Sequence, residues 1–314
     1  MTTRMRLVRQ REFGGPEVLR VEEVDRPSPA TGEVLVRVRA AGVNPVDWKT
    51  RAGHGVPGML TLPMTVGWDV SGVVEEVGPG VTRFRPGDEV FGMPAFPRQA
   101  AAYADYVLAA PRQLARKPVS VDHVRAAGLP LAGLTAWQFL VDTADVQPGQ
   151  RVLVHAAAGG VGHLAAQIAK IRGAHVIGTA RAEKHDFLRG LGVDEVVDYT
   201  AVDFTSAVSD VDVVVDLVGG ETGLRSLDVL RPGGLLMTAP IHAPEIQAAA
   251  ERRGLRYANV VVEPDHVGLS ELAALVDSGR LHVEVDSVFP LERAPEAHAH
   301  GETGRARGKI VLTT

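Results

Sequence analysis

The stretch Val152-Leu153-Val154-His155-Ala156-Ala157-Ala158-Gly159-Gly160-Val161-Gly162 constrains this chain more than any other. It joins a short apolar strand, Arg151–His155, to an alanine-rich helix expected from about Val161 to Ile171. The turn has the form A-x-x-G-x-x-G, with Ala156, Gly159 and Gly162 in the small positions. Small residues let the backbone turn tightly and approach an anion at the helix start, where unpaired N–H groups and the helix dipole favour negative charge. The last glycine lets the helix pack closely on the strand. A glycine pattern alone specifies only a tight turn. Its place after a strand and before a helix is the context a dinucleotide pyrophosphate requires. The same rhythm continues with strands at His175–Thr179, Glu195–Asp198, Val211–Val218, Gly233–Thr238 and Arg256–Val262, and helices at Ala182–Leu191 and about Glu221–Leu230. The valine run of Val211–Val218 suits a strand buried on both faces of a parallel sheet. The alternation means a doubly wound α/β domain.

The rest of the chain reads differently. Val18–Val24, Glu33–Ala41, Asp69–Val77 and Asp88–Phe91 are short Val- and Leu-rich runs between Gly and Pro turns, the pattern of a compact β-barrel-like domain. The tail from Asp265 to Thr314 offers two helices and short strands at Asp286–Phe289 and Lys309–Leu312. At 314 residues, two domains are expected. The pattern changes near residue 122. The net charge of −5 gives no sign of nucleic acid or an anionic membrane as partner. Cysteine is absent, which removes disulfides, thiol nucleophiles and cysteine-held zinc and suits a reducing cytosol, so a cytoplasmic location is expected. No signal-peptide core follows the arginines of the first eleven residues. The uncharged run Val152–Ala169 has the length of a membrane span, but the glycines in its middle favour a strand–turn–helix, and the chain reads as soluble.

The end of the second strand selects the dinucleotide. An NAD site carries Asp or Glu there to hold the ribose 2′-hydroxyl. Here that place reads Gly178-Thr179-Ala180-Arg181, with Lys184 one turn later, so a 2′-phosphate and hence NADP(H) is favoured. The alternative is that Arg181 and Lys184 are solvated helix-start residues, with Glu183 as a counterweight.

Several motifs in order carry a more specific likeness. They are Ala40-Ala41-Gly42-Val43-Asn44-Pro45-Val46-Asp47-Trp48-Lys49, Gly67-Trp68-Asp69-Val70-Ser71-Gly72-Val73-Val74, Leu134-Thr135-Ala136-Trp137, the glycine turn, and Arg307-Gly308-Lys309-Ile310-Val311-Leu312. With these the chain resembles the zinc-free quinone oxidoreductase (zeta-crystallin-like) branch of the medium-chain dehydrogenase/reductases, over nearly its whole length. The resemblance implies an α/β protein in which a GroES-like catalytic domain is built from both chain ends, 1–122 and 264–314. A Rossmann NADP-binding domain, 123–263, lies between, and the active site is in the cleft. In the zinc-dependent branch a Cys, the His of a Gly-His-Glu motif and a further Cys hold the metal. Asn44 stands here in place of the first cysteine, and Gly67-Trp68-Asp69 in place of Gly-His-Glu, so no metal is expected. Of the eleven histidines only His298 and His300 are close in sequence, and their spacing of two puts them on different faces of a helix, as surface residues.

By resemblance, Asn44 lies near the nicotinamide and substrate, and Thr135 near the nicotinamide ribose. Ala158, Gly159, Gly160, Val161 and Gly162 line the pyrophosphate, and Thr179, Ala180, Arg181 and Lys184 the adenosine end. Tyr199 matches a residue that stacks around the adenosine phosphate, or else is an aromatic covering the sheet edge. Val218, Ala239 and Ile241 follow the fourth and fifth strands, where ligands bind in such folds. A C-terminal arginine reaches the cofactor phosphate, Arg307 or Arg305. Lys49 stands where some quinone reductases have tyrosine, and the Asp-Trp-Lys form looks like the alkenal and enone reductases. It either donates to a developing enolate or pairs with Asp47 or Asp69. The expected activity is metal-free, NADPH-dependent reduction of a small quinone or α,β-unsaturated carbonyl compound. An enoyl-thioester reductase and a low-turnover NADPH-binding regulatory protein are the alternatives, and a homodimer is the family habit.

Overall fold

The computed structural model describes residues 3–55, 61–239 and 243–314. The chain divides into two compact units: Met1–Leu134 with Glu263–Gly279 and Val283–Thr314, and Thr135–Val262 with Arg280–His282. The first unit thus runs on to Leu134, where the change of sequence pattern suggests residue 122. The added piece, helix α2 (His123–Ala127) with the start of helix α3 (Pro130–Trp137), packs on the β-rich part, where Ala127 is buried with Ala40 and Val311.

In the first unit β1 (Arg4–Arg9) and β2 (Arg20–Asp25) form an antiparallel ribbon. The strand β3 (Val34–Val43) is the spine of the larger sheet and leads directly into helix α1 (Pro45–Arg51). After it come β4 (Asp69–Val77), β5 (Glu89–Gly92), β6 (Tyr106–Ala109) and β7 (Leu114–Arg116). Val34, Val36 and Val38 of β3 meet Val70, Val74, Val90 and Leu114 in one buried cluster, as expected of β-branched residues on a half-buried pleated surface.

In the second unit β8 (Arg151–Val154), helix α4 (Gly162–Ile171), β9 (His175–Thr179), helix α5 (His185–Gly190) and β10 (Glu195–Val197) build the first half. Helix α6 (Phe204–Ala207), β11 (Val211–Asp216), helix α7 (Gly220–Ser226), β12 (Leu230–Thr238), helix α8 (Pro244–Arg252) and β13 (Arg256–Asn259) build the second. Among the described residues the strands lie in the order β10-β9-β8-β11-β12-β13, all parallel. This is the doubly wound Rossmann order, with its switch point between β8 and β11. Val213, Val214 and Val215 are buried, as a central parallel strand requires. Helix α7 stops at Ser226 rather than near Leu230, because Leu230 already pairs with Val211 in the sheet. Among the described residues no helix is long and apolar enough to cross a membrane.

The tail returns to the first unit. Helix α9 (His266–Asp277), whose first N–H groups are capped by Asp265, is followed by β14 (Val285–Pro290), helix α10 (Ala294–Glu302) and β15 (Lys309–Thr313). The sheet runs β14-β15-β3-β4-β5-β7, with β6 also on β3. Both chain ends therefore build one GroES-like sheet.

Candidate functional site

In the second unit β8 ends at Val154 and the chain turns through Ala156, which has a φ of 49°, before helix α4 begins at Gly162. A Cβ at Gly162 would lie 2.2 Å from the Ala156 carbonyl oxygen and 2.8 Å from the Ala157 Cα, so only glycine lets the helix start so close to the strand. Among the described residues none accepts from the backbone N–H groups of Gly160, Val161 or Gly162. These are the unsatisfied donors of a helix N-terminus, and they gather where a pyrophosphate would fit. Ala158 is buried beneath them, and Gly159 closes the turn by donating to Ala156 O at 2.9 Å.

The neighbouring strand ends complete this edge. Thr179 ends β9, but its side chain is not offered outward. Ser226 Oγ donates to Thr222 O at 2.7 Å and so accepts from His155 Nε2 at 2.9 Å. The other ring nitrogen, Nδ1, then accepts from the Thr179 hydroxyl at 3.0 Å. Burial pushes His155 down to about 4, which keeps this ring neutral. The expectation that Thr179 contacts a ligand is thereby reduced to its backbone. Ala180 is buried, with its N–H on Val197 O. Arg181 is exposed and donates from Nε to the Tyr199 hydroxyl at 3.3 Å, and Tyr199 is 51% exposed. Lys184 is half-buried at the end of the short 3-10 turn Ala182–Lys184. The loop after β11 is shaped by Asp216, whose Oδ1 accepts from Val218 N and Gly219 N at 2.9 Å each, leaving the Val218 side chain exposed. Ala239 follows β12 with its N–H on Asp216 O at 3.0 Å, and Ile241 lies outside the described residues. Thr135 is buried in α3.

The two C-terminal arginines lie in the first unit. The Arg307 guanidinium donates from Nε and Nη2 to Glu284 Oε1 at 2.9 and 2.6 Å, and its N–H donates to Asp286. Its fork thus lies on a carboxylate of its own unit. Arg305 is exposed.

In the first unit Asn44 stands between β3 and α1 in an extended conformation, with Pro45 opening the helix. Asp47 reaches back so that its Oδ2 accepts from Asn44 N at 2.6 Å. This frees the Asn44 amide, which donates from Nδ2 to Asp69 Oδ2 at 2.9 Å and accepts at Oδ1 from Lys309 Nζ. Lys309 also pairs with Asp69 Oδ2 at 3.4 Å, and Asp69 Oδ1 accepts from Leu131 N at 2.7 Å. All three side chains are buried. Burial raises the Asp69 carboxyl above its ordinary range, opposed by the Lys309 charge and the Asn44 amide.

A second buried chain holds Asp47. An arginine can only donate, so Arg51 Nη1 donates a hydrogen bond to His298 Nδ1 at 3.1 Å. His298 Nε2 then donates to the Tyr103 hydroxyl at 3.1 Å, which donates to Asp47 Oδ2 at 3.0 Å. Arg51 is anchored on Glu302 at 2.6 Å. Burial, then the Arg51 charge, push His298 down to about 3. His298 is therefore a core residue rather than a surface one, buried because α10 packs that face against Trp48 and Tyr103. Asp47 Oδ1 is buried without a partner, and burial, aided by the Asp69 charge, pushes the carboxyl up to about 7.

Lys49 is exposed on α1. Asp69 takes its cation from Lys309 and Asp47 faces Tyr103, so an ion pair of Lys49 with either is not formed. Nor do the residues fit a zinc ion. The Trp68 indole is buried and donates to Arg98 O at 2.7 Å, the Asn44 amide oxygen is taken by the Lys309 ammonium, and that cation stands beside the site. Among the described residues no group of three or more His, Asp or Glu could hold a metal. The sequence offers Asp69 only as a partner for Lys49 and Lys309 only as part of the closing motif, and neither as a partner of Asn44. The register of three neighbouring strands brings them to Asn44, and only the strand pairing carries that signal.

Residues 30–145 match the alcohol dehydrogenase GroES-like domain family, and residues 191–312 match a family described as zinc-binding dehydrogenase. The 2-haloacrylate reductase of Burkholderia sp is 36% identical, covering 95% of this chain and 96% of that protein. The chloroplastic NADPH-dependent alkenal/one oxidoreductase of Arabidopsis thaliana is 35% identical over 96% of this chain and 77% of its own. The structure of the quinone oxidoreductase from Coxiella burnetii superposes with a TM-score of 0.96 at 38% identity, covering 99% of this chain and 100% of that one.

Proposed function

We propose that this chain, which belongs to the medium-chain dehydrogenase/reductase family, is an NADPH-dependent reductase of quinones or α,β-unsaturated carbonyl compounds that works without a metal. The observation that carries the reading is the glycine turn, with three unspent N–H groups at a helix start and a cationic rather than acidic tip on the adjacent strand. The chemistry a bound nicotinamide dinucleotide supplies is hydride transfer to the acceptor. The N–H groups of Gly160, Val161 and Gly162 hold the pyrophosphate over Ala158 and Gly159. Arg181 and Lys184 take the 2′-phosphate, Arg181 through charge-assisted bonds and with Tyr199 beside it. The backbone of Thr179 and Ala180, the Val218 and Ala239 turns and Ile241 line the remaining length of the dinucleotide, and Thr135 its ribose.

On the acceptor side, Asn44 positions the substrate and Lys49 donates to the oxygen on which negative charge appears. An exposed ammonium free of Asp47 and Asp69 suits that task better than a buried ion pair would. Metal independence is supported by the residue types at the two ligand positions, an amide at Asn44 and an indole at Trp68. The acceptor class is supported by similarity to proteins named for haloacrylate, alkenal and quinone reduction. Titration with NADPH and NADH, followed by turnover with a panel of quinones and enones, tests it. Equal affinity for the two dinucleotides, or no turnover on any acceptor, would overturn it.

A further inference from the structure

Three adjacent strands end at one edge of the GroES-like sheet. Ile310 of β15 pairs with Val43 of β3, and Gly42 of β3 pairs with Asp69 of β4. Lys309, one residue before Ile310, falls beside Asn44, which directly follows β3, and the Asp69 carboxylate reaches it from the position opposite Gly42. Gly42 makes this possible, since a Cβ there would stand 2.8 Å from Asp69 Oδ2 and 2.4 Å from the Ala127 carbonyl oxygen. Asn44 is 1%, Asp69 0% and Lys309 2% exposed, so water does not compete for these bonds.

The chemistry of the three groups fixes the amide. An ammonium can only donate and the ionised carboxylate can only accept. Asn44 therefore turns its oxygen to Lys309 and its nitrogen to Asp69, and the flipped amide would face two like partners. One N–H of Asn44 is left without a partner among the described residues. What remains to meet an acceptor is a hydrogen-bond donor, and the ammonium on the amide oxygen draws electron density away from that N–H.

We propose that Lys309 is a positioning residue: with Asp69 it locks and polarises the Asn44 amide so that an N–H is presented to the acceptor's carbonyl oxygen. This rests on the reductase reading above and adds to it the group that sets the orientation of Asn44. It also assigns work to a lysine 265 positions away in sequence.

The test uses the full chain. Lys309→Met alone leaves Asp69 buried without a counter-charge and loses stability, so the informative variant is Lys309→Met with Asp69→Asn, which removes both charges together. This variant is expected to fold and bind NADPH within about twofold of the parent. Its kcat with an enone or quinone acceptor should fall by about tenfold or more, the size of a lost or misdirected donor. Adding Asn44→Ala should lower kcat in the parent but change it little in the double variant, because the amide is already disoriented. A double variant with parental kcat, or fully additive losses, would overturn the assignment. A second readout does not depend on turnover. The Asn44 side-chain amide protons, identified by their loss in Asn44→Ala, should exchange slowly in the parent and rapidly in the double variant. Equal exchange in both refutes the lock. If the parent turns over no acceptor, the reductase reading fails, and the exchange measurement still decides the role of Lys309.

Discussion

Asp47→Asn isolates the energetic consequence of burying a carboxyl at the base of helix α1. Asp47 is wholly buried, with Oδ2 accepting from Asn44 N and the Tyr103 hydroxyl while Oδ1 has no partner. Its folded-state pKa is about 7 against an ordinary 3.8. The folded chain thus holds the proton to higher pH than the unfolded chain does. Stability is fully present below the unfolded value and is lost as pH rises through the folded one. At 1.36 kcal/mol per pH unit, ionising Asp47 costs about 4 kcal/mol in full, of which about 3 kcal/mol falls between pH 5 and pH 8. Asparagine keeps a carbonyl oxygen for the two donors and does not titrate. Urea unfolding of the parent and of Asp47→Asn at pH 5 and pH 8, followed by the fluorescence of Trp48 and Trp68 in the same unit, compares the two. The variant should gain about 3 kcal/mol relative to the parent on going from pH 5 to pH 8. A difference between the two proteins that is the same at both pH values would show that Asp47 does not titrate with the fold.

Three further outcomes follow from the sites. Arg181→Ala should weaken NADPH binding by about tenfold, or 1.4 kcal/mol, and leave NADH binding unchanged, as read by titration of each dinucleotide. Gly162→Val places carbon atoms inside contact distance of the Ala156 carbonyl and should cost roughly 1–3 kcal/mol of stability along with most dinucleotide binding, checked by thermal unfolding and the same titrations. Lys49→Ala should lower kcat by roughly tenfold to a thousandfold with NADPH affinity unaltered, and a parental kcat on several acceptors would remove Lys49 from the chemistry.

The α/β half of the fold was legible because its signals are local. A strand, a glycine turn and a helix sit between Arg151 and Ile171, and the valine run Val211–Val218 reads as a buried strand from composition alone, which the structure ends at Asp216. Strands β6 and β7 were not read, being three or four residues long and held by their sheet neighbours rather than by their own pattern. The tip at Arg181 was legible as an absence of acid. The burial of Thr179 was not, since it depends on His155 and Ser226 meeting it across two other elements. His298 was misread as surface because helix spacing gives a face but not what packs on it, and here Arg51 and Tyr103 do. Lys309 was visible as part of a closing motif, yet its partner Asn44 comes from the other end of the chain, and only the β15-β3-β4 register joins them. Arg307 matched a position expected to hold a phosphate, while Glu284, which closes its fork, carries no mark in the sequence.

Metal-free, NADPH-dependent reduction of a conjugated acceptor is tested most simply by turnover of metal-stripped protein. The protein is dialysed against a strong chelator, analysed for bound metal, and mixed with NADPH or NADH and each member of a quinone and enone panel while absorbance of the reduced dinucleotide is followed. Turnover on at least one acceptor is expected, unaltered by chelation and by added zinc, with NADPH favoured over NADH by about tenfold or more. Activity that disappears with the metal and returns with zinc would contradict it.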